Sequence, residues 1–341
     1  MPWESLMPEL VEMGPAAATG GGAAGGQPPA PDVSFIVGAY NVAPYIEAAV
    51  RSALAQRGVT VEVIVVDDAS TDDTAEIVGG LADADPRIRL IRLTATSGPS
   101  AARNRAIAVA RGTWIAQLDG DDTISPERTL RLLELAAASG AEMVADNFER
   151  VAEDGTPLGR TMIPRTALPY AFNLGVADFL SGNICFGRAP MSFGAVKPML
   201  RTDIVRASGL RYYDDPALRH EDFLFALEAL LAGLRFVVTS EATYQYRQRA
   251  SSISFRITAA QIAAMQSANA TLALRKRVAH DPRAADAMVR YDAALERARR
   301  FLTAAEALRR RDPRGAIRAS GFSPDLLPLV ARFGWEAAMR R

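Results

Sequence analysis

The chain has one cysteine, Cys185, two histidines, His220 and His280, and no excess charge, with 39 Lys and Arg against 39 Asp and Glu in 341 residues. A single thiol excludes an intrachain disulfide framework and a cysteine-cluster metal site. Two histidines so far apart in sequence do not suggest a zinc centre. Balanced charge gives no bulk attraction for nucleic acid, so no such partner is expected. No apolar run reaches the ~18 residues a membrane-spanning helix needs, and the opening residues lack the basic-then-apolar pattern of a signal peptide. The chain is therefore expected in the cytoplasm. Two phosphate-binding loops are missing as well. The first strand runs into Gly38-Ala39-Tyr40-Asn41-Val42-Ala43 rather than G-x-G-x-x-G, and no G-x-x-x-x-G-K-[ST] occurs. Phosphate has to be handled by metal and side chains instead.

What is present, 49% hydrophobic and 23% charged residues, is the balance of a soluble globular protein. Residues 1–31, with Gly20-Gly21-Gly22 and Gln27-Pro28-Pro29-Ala30-Pro31, bury too little to offset their ordering entropy and predict a flexible tail. From Val33 onward strand and helix patterns alternate. Residues 33–37, 61–66, 88–93 and 113–118 read as strands. Asn41 predicts the cap of a first helix, with Ile46, Ala49, Val50, Ala53 and Leu54 on one face. Ser70 and Asp73 predict a capping box for a second, reaching about Ala84. A third helix leads from residues 97–104 to Gly112. Four alternations imply parallel strands with helices on both faces. Ligands bind such sheets beyond the carboxyl ends of the strands, here at Tyr40, Asp67, Asp68, Ser97 and residues 119–122.

Residues 143–146 continue the sheet, and Glu153-Asp154-Gly155 predicts a hairpin turn. Residues 168–198 lose periodicity and predict a lid or binding loop. A helix from Thr202 follows, then one opened by His220-Glu221-Asp222, whose acids suit its positive end. Two further strands are expected at 235–238 and 243–247.

The sharpest feature is the end of the fourth strand, Leu118-Asp119-Gly120-Asp121-Asp122. Three crowded acids repel unless a hard divalent cation, Mg²⁺ or Mn²⁺, sits among them, and such ions keep positions open for phosphate oxygens. That pattern points to a metal bound with a nucleotide diphosphate. The alternative is an acidic turn capping the helix near Ser125-Pro126-Glu127.

Taken in order, residues 34–41, 66–72, Ala102-Arg103-Asn104, 118–122, His220-Glu221-Asp222 and Tyr246-Arg247 resemble the motifs of family 2 glycosyltransferases with the GT-A fold, over residues 33–254. The resemblance implies an α/β nucleotide-diphospho-sugar transferase fold with a central, mostly parallel sheet. It also implies a UDP-sugar donor met by Ala39, Tyr40, Asn41, Asp68, Arg103, Asp119, Gly120 and Arg247. Asp121 and Asp119 would hold Mn²⁺ or Mg²⁺, with the register among Asp119, Asp121 and Asp122 open. Asp222 matches the family's catalytic base, and Glu221 would orient the acceptor. A single in-line displacement then inverts the anomeric carbon. Arg103 could instead be a solvated helix arginine, and Asp222 a helix N-terminal carboxylate. Arg249, beside Arg247, could close over the diphosphate. Asn104 is expected to brace its loop. Gly38-Ala39 and Ser97 depart from the family pattern, which commonly has proline or threonine and asparagine there. The whole pattern is similar to bacterial exopolysaccharide glucosyltransferases of the succinoglycan type, which implies transfer of glucose to an oligosaccharide or lipid-linked saccharide. The alternatives are a sugar-1-phosphate nucleotidyltransferase, whose glycine- and arginine-rich signature is missing, and a non-catalytic saccharide-assembly or binding protein.

The organisation expected is thus a tail over 1–31, a transferase domain over 32–256 and a helical segment over 257–341. The last is rich in Ala and Arg, with Met288, Leu295, Phe301 and Leu302 at helical spacing and basic clusters at Arg275-Lys276-Arg277, Arg309-Arg310-Arg311 and Arg340-Arg341. Such helices either pack on the domain with their charges in water or lie on the anionic inner face of the cell membrane.

Overall fold

A computed structural model describes residues 11–13, 29–164, 169–184, 193–213, 221–249, 258–273 and 281–321. Expectations for Cys185, His220, His280, residues 275–277 and 340–341, and most of the N-terminal stretch lie outside the described residues. Within that stretch Val11–Met13 is a strand, β1, paired antiparallel with β4 at Ile88–Arg92.

The expected alternation is present. Strands β2 (Val33–Ala39), β3 (Val61–Asp67), β4 and β5 (Trp114–Asp119) pair in parallel in the order β4-β3-β2-β5. Because side chains alternate across a strand, Phe35 and Val37 face one core and Ile36 the other. Helices α1 (Ala43–Leu54), α2 (Thr74–Ala84) and α4 (Arg128–Ser139) cover the first face, and α3 (Pro99–Val109) covers the second. In α1 the buried residues are Ile46, Ala49, Val50 and Ala53, the spacing of one helical stripe.

The helix starts differ from expectation. Asn41 has φ 51° and turns its side chain to the Thr71 N–H, 2.8 Å from Oδ1, so Val42 takes the cap position of α1 without a side-chain bond. Ser70 accepts the Asn41 N–H at 3.0 Å instead of boxing α2, while Asp72 accepts the Thr74 N–H at 3.1 Å. The polar residues between β2 and α2 thus tie the two strand-end loops to each other. That satisfies more orphan donors at this rim than two isolated caps would.

The other half of the sheet is mixed. Met199–Arg201 forms β10, which runs antiparallel between β5 and β7 (Met143–Val151). The two strands expected at 235–238 and 243–247 are one, β11 (Phe236–Arg247), parallel to β7 with register shifts between Val238 and Tyr244. A short β6 (Thr123–Ile124) pairs with β11, and β8 (Pro157–Thr161) closes the expected hairpin on β7, with Gly155 at φ 89°. The stretch read as one irregular loop contains β9 (Ala171–Leu174), paired with β11, and α5 (Val176–Gly182). Helix α6 (Thr202–Ala207) follows β10, and α7 (Glu221–Ala232) buries every residue from Phe223 to Leu231. Strands that short carry too little periodicity to read from sequence.

Helices α8 (Ala259–Ala273), α9 (Pro282–Arg309) and α10 (Pro313–Ser320) complete the described chain. Met288 and Leu295 of α9 are buried, and Tyr291 stacks on Phe223 of α7 at 5.0 Å, so this segment packs on the second core. Phe301 and Leu302, expected beside them, are only half-buried. Among the described residues no helix is long and apolar enough to cross a membrane.

Candidate active site

The carboxyl ends of β2, β3 and β5 form one rim, and the start of α7 comes up to it. Tyr40, just beyond β2, is 45% exposed, so its ring is not a core residue and its face is open. Ala39 beside it is buried. Asp68 follows β3 and is buried, with Oδ1 accepting the Ser97 N–H at 2.6 Å and Oδ2 the Gly98 N–H at 2.9 Å. Burial pushes the Asp68 carboxyl up, against the pull of those two N–H groups, and the charge of Asp67 adds to the rise. Gly120 sits so close to the end of β2 that a Cβ would lie 3.2 Å from the Gly38 carbonyl oxygen.

The centre of the rim is a buried ionic cluster. Arg103, on α3, donates through Nη2 to Asp119 Oδ1 at 2.9 Å and through Nη1 to Glu221 Oε1 at 2.8 Å, and lies 3.3 Å from Asp222 Oδ1. Lys197, just ahead of β10, bridges Asp119 Oδ2 at 2.7 Å and Asp222 Oδ2 at 2.8 Å. Gln117 Nε2 donates to Asp222 Oδ1 at 2.9 Å and its Oε1 accepts the Tyr212 hydroxyl at 3.1 Å. Burial works against the charges of Arg103 and Lys197, yet Asp222, Asp119 and Glu221 hold Arg103, and Asp119 and Asp222 hold Lys197, well above their ordinary values. Burial also works against the Asp119 charge, but Lys197 and Arg103 hold that carboxyl well below the usual range.

Arg103 was expected at a diphosphate, and here its guanidinium faces three carboxylates. Asp119 was expected among the metal ligands, and both its oxygens are taken by cations. Glu221 and Asp222 lie in the same cluster, separated from β5 in sequence by more than a hundred residues but joined to it by Arg103 and Lys197. Asn104 braces its loop as expected, exchanging two bonds of 2.8 Å with the Tyr212 backbone.

A second group lies beside the first. Asp121 is partly buried, and its Oδ2 is 2.7 Å from Arg249 Nε. Asp122 is 1% exposed and accepts the Tyr244 hydroxyl at 2.8 Å and the Arg247 N–H at 2.7 Å, so it serves the packing of β11 against this loop. Burial and the neighbouring Asp119 charge push Asp121 up, with Arg249 opposing; burial and both neighbouring acids push Asp122 well up. Arg247 donates from Nε to the Asp121 carbonyl at 2.9 Å and from Nη1 to the Glu153 carbonyl at 2.6 Å.

Among the described residues no three His, Cys, Asp or Glu side chains converge as a protein cage for a metal. The donor set fits a hard divalent cation of the other kind, held by one carboxylate and completed by water and phosphate oxygens. Asp121 could hold such an ion: its Oδ2 faces the Arg249 guanidinium without an aligned hydrogen bond among the described residues, whereas both oxygens of Asp119 and of Asp122 are bonded.

Lys197, Gln117 and Tyr212 are the site residues that motif reasoning passed over. For Lys197 a signal exists: it is one of two lysines, with Lys276, in a chain that otherwise uses arginine. A compact ammonium fits between two carboxylates where a planar fork does not. Its carbonyl is held in turn by the buried Arg128, whose Nη2 donates to it at 2.7 Å and to Asp146 at 2.7 Å.

Residues 34–200 match Glycosyl transferase family 2. The succinoglycan biosynthesis protein ExoO of Rhizobium meliloti (strain 1021) is 40% identical over 314 residues, which cover 90% of this chain and 88% of that one. ExoU of the same organism is 36% identical over 226 residues, covering 65% and 64%. Among solved structures, S. aureus TarS 1-349 in complex with UDP-GlcNAc aligns with TM-score 0.61 at 18% identity, over 89% of this chain and 92% of that one. Mannosyltransferase PcManGT from Pyrobaculum calidifontis in complex with GDP-Man and Mn²⁺ aligns with TM-score 0.56 at 18% identity, over 92% and 81%. The structural likeness bears on the fold, and the expected GT-A architecture is the one found.

Proposed function

The chain belongs to glycosyl transferase family 2, and from that premise we propose an inverting, divalent-metal-dependent transfer of a hexose, glucose from UDP-glucose, to an oligosaccharide or lipid-linked saccharide. The product would serve exopolysaccharide or other surface-polysaccharide assembly, the role that the name of ExoO gives to that relative. One observation carries the reading. Asp222 stands in the same ionic cluster as Asp119, through the Lys197 contacts of 2.7 and 2.8 Å, so a candidate base lies beside the strand ends where a nucleotide would bind.

In this reading the open face of Tyr40 takes the base, and Asp68 retains acceptor capacity beyond its two backbone bonds for an imide N–H. Ala39 and Asn41 shape that wall, and Gly120 lets the β5 loop lie close beneath it. Asp119, fixed by two cations, orients the ribose. A divalent cation on Asp121 would supply charge compensation for the departing nucleoside diphosphate. Asp222 takes the proton of the acceptor hydroxyl as the new C–O bond forms at the anomeric carbon and the bond to the phosphate oxygen breaks on the opposite face. Lys197 and Gln117 keep that carboxylate turned to the rim, while Glu221 holds Arg103 and orients the acceptor. We further assign a peripheral contact with the anionic inner membrane face to the turn between α9 and α10, where Leu308 and Ile317 are exposed among Arg309, Arg310, Arg311, Arg314 and Arg318.

The test is a pair of substitutions. Asp222→Asn should lower transfer by about 10²-fold or more, the scale of general-base loss, with UDP and Mn²⁺ binding close to wild type. Asp121→Ala should weaken metal-dependent nucleotide binding instead. Wild-type transfer by Asp222→Asn would remove the base assignment, and a screen of UDP- and GDP-sugars settles the donor.

A further inference from the structure

Two arginines leave the end of β11, and they are held in different ways. Arg247 is pinned by backbone: its Nε and Nη1 donate to the Asp121 and Glu153 carbonyls, at 2.9 and 2.6 Å. Arg249 has no such anchor among the described residues. Its Nε is 2.7 Å from Asp121 Oδ2, yet this buried N–H makes no aligned hydrogen bond among them, so the contact is ionic and leaves a desolvated donor incompletely satisfied there. Both guanidinium groups lie over the ring of Tyr45, at 5.2 and 5.3 Å, and Tyr45 is itself fixed by its hydroxyl on Glu153 at 2.6 Å. The aromatic face gives Arg249 a platform along which to shift without leaving the rim.

We propose that the Arg249 guanidinium and a divalent cation take the same place on the Asp121 carboxylate, and that Arg249, once displaced, binds the donor diphosphate. The inference rests on the reading of the rim as a nucleotide-sugar site. A guanidinium and a metal ion cannot share one carboxylate oxygen, because two cations at that separation repel strongly in a partly buried setting. The displaced guanidinium then matches a phosphate better than a single carboxylate oxygen, because its planar fork can donate twice. The consequence is a coupling. Metal alone must break the Arg249–Asp121 contact without compensation, whereas metal arriving with a diphosphate gives Arg249 a new acceptor. Metal and nucleotide therefore bind cooperatively, with Arg249 carrying part of the coupling.

The experiment uses the full chain and reads binding, not turnover. Free Mn²⁺ is followed by electron paramagnetic resonance during titration, first without nucleotide and then with UDP. Arg249→Met keeps the apolar stem over Tyr45 and removes the charge. It should bind Mn²⁺ alone about tenfold more tightly than wild type, and bind UDP at saturating Mn²⁺ about tenfold more weakly, the scale of one charge-assisted contact. Arg249→Lys, which retains a charge, should keep Mn²⁺ affinity near wild type, and Arg247→Met should give no gain because it does not touch the carboxylate. Unchanged or weaker Mn²⁺ binding by folded Arg249→Met, with wild type still binding Mn²⁺ and UDP together, overturns the inference alone. Failure of wild type to bind UDP with Mn²⁺ overturns the nucleotide-sugar reading beneath it.

Discussion

Two groups of acids stand side by side at the end of β5, and their surroundings separate them. In the inner group, Asp119, Glu221 and Asp222 share two buried cations, Arg103 and Lys197. In the outer group, Asp121 and Asp122 are as crowded, but Asp121 has one arginine at its edge and Asp122 has only neutral donors. The result is opposite shifts in neighbouring residues, Asp119 held down and Asp121 and Asp122 pushed up. Asp119 has a cation at each oxygen, so its charge is already compensated. A neighbouring acid desolvated with less compensation gains more from an added cation. Within the outer group Asp121 is the acid we assign to the proposed cation, because both oxygens of Asp122 are spent on the packing of β11.

The largest effect is expected from breaking the inner group. Lys197→Met would leave Asp119 and Asp222 facing each other with one cation fewer, and loss of one partner from a buried ion network costs about 3–5 kcal/mol. Urea denaturation should show the midpoint falling accordingly. A loss below about 1 kcal/mol would mean that Lys197 is not the bridge between β5 and α7.

How far this arrangement was legible in the sequence follows from what each residue had to reveal. Strands β2, β3 and β5 are buried runs bounded by turns, and their order places Asp68, Asp119 and Asp121 on one rim without coordinates. The approach of Asp222 to that rim came from the motif order alone, since no local pattern brings α7 to β5. Lys197 stayed hidden because it stands before a three-residue strand in a stretch without periodicity, where its two partners are far away in sequence. Asn41 and Ser70 misled for a related reason. Short polar side chains cap helices when nothing else competes, and here the two loops offered each other better partners. The role of Arg103 was ambiguous because an arginine's sequence position does not say whether carboxylates close over it.

The outer group can be sharpened through pH. The Asp122 carboxyl lies well above its ordinary value of 3.8, so between that value and the folded one the native state binds the extra proton, and stability falls as pH rises through the window. Asp119 has the opposite sign: its contribution is present above 3.8 and lost as pH falls through its lower folded value. Asp122→Asn keeps an acceptor for the Arg247 N–H and removes the repulsion from Asp121 and Asp119. Its stability relative to wild type should therefore rise with pH above 3.8, because only the wild-type carboxyl has to ionise in a buried site. Denaturation across a pH series checks the sign.

The smallest effect tests whether burial or distance separates strong pairs from weak ones. Glu47 and Arg51 on α1 approach to 2.7 Å, the same separation as Lys197 and Asp119, but their side chains are 55% and 64% exposed. Water already solvates both charges, and holding two long side chains together costs rotamer entropy, so an exposed pair one helical turn apart contributes about 0.3–0.5 kcal/mol. Glu47→Gln should therefore shift the denaturation midpoint barely beyond error, and added salt should shrink even that difference. If it instead cost as much as Lys197→Met, the separation between groups would be set by contact geometry rather than by exclusion of water. Asp119 would then differ from Asp121 only in its number of neighbours, and desolvation would no longer mark Asp121 for the proposed cation.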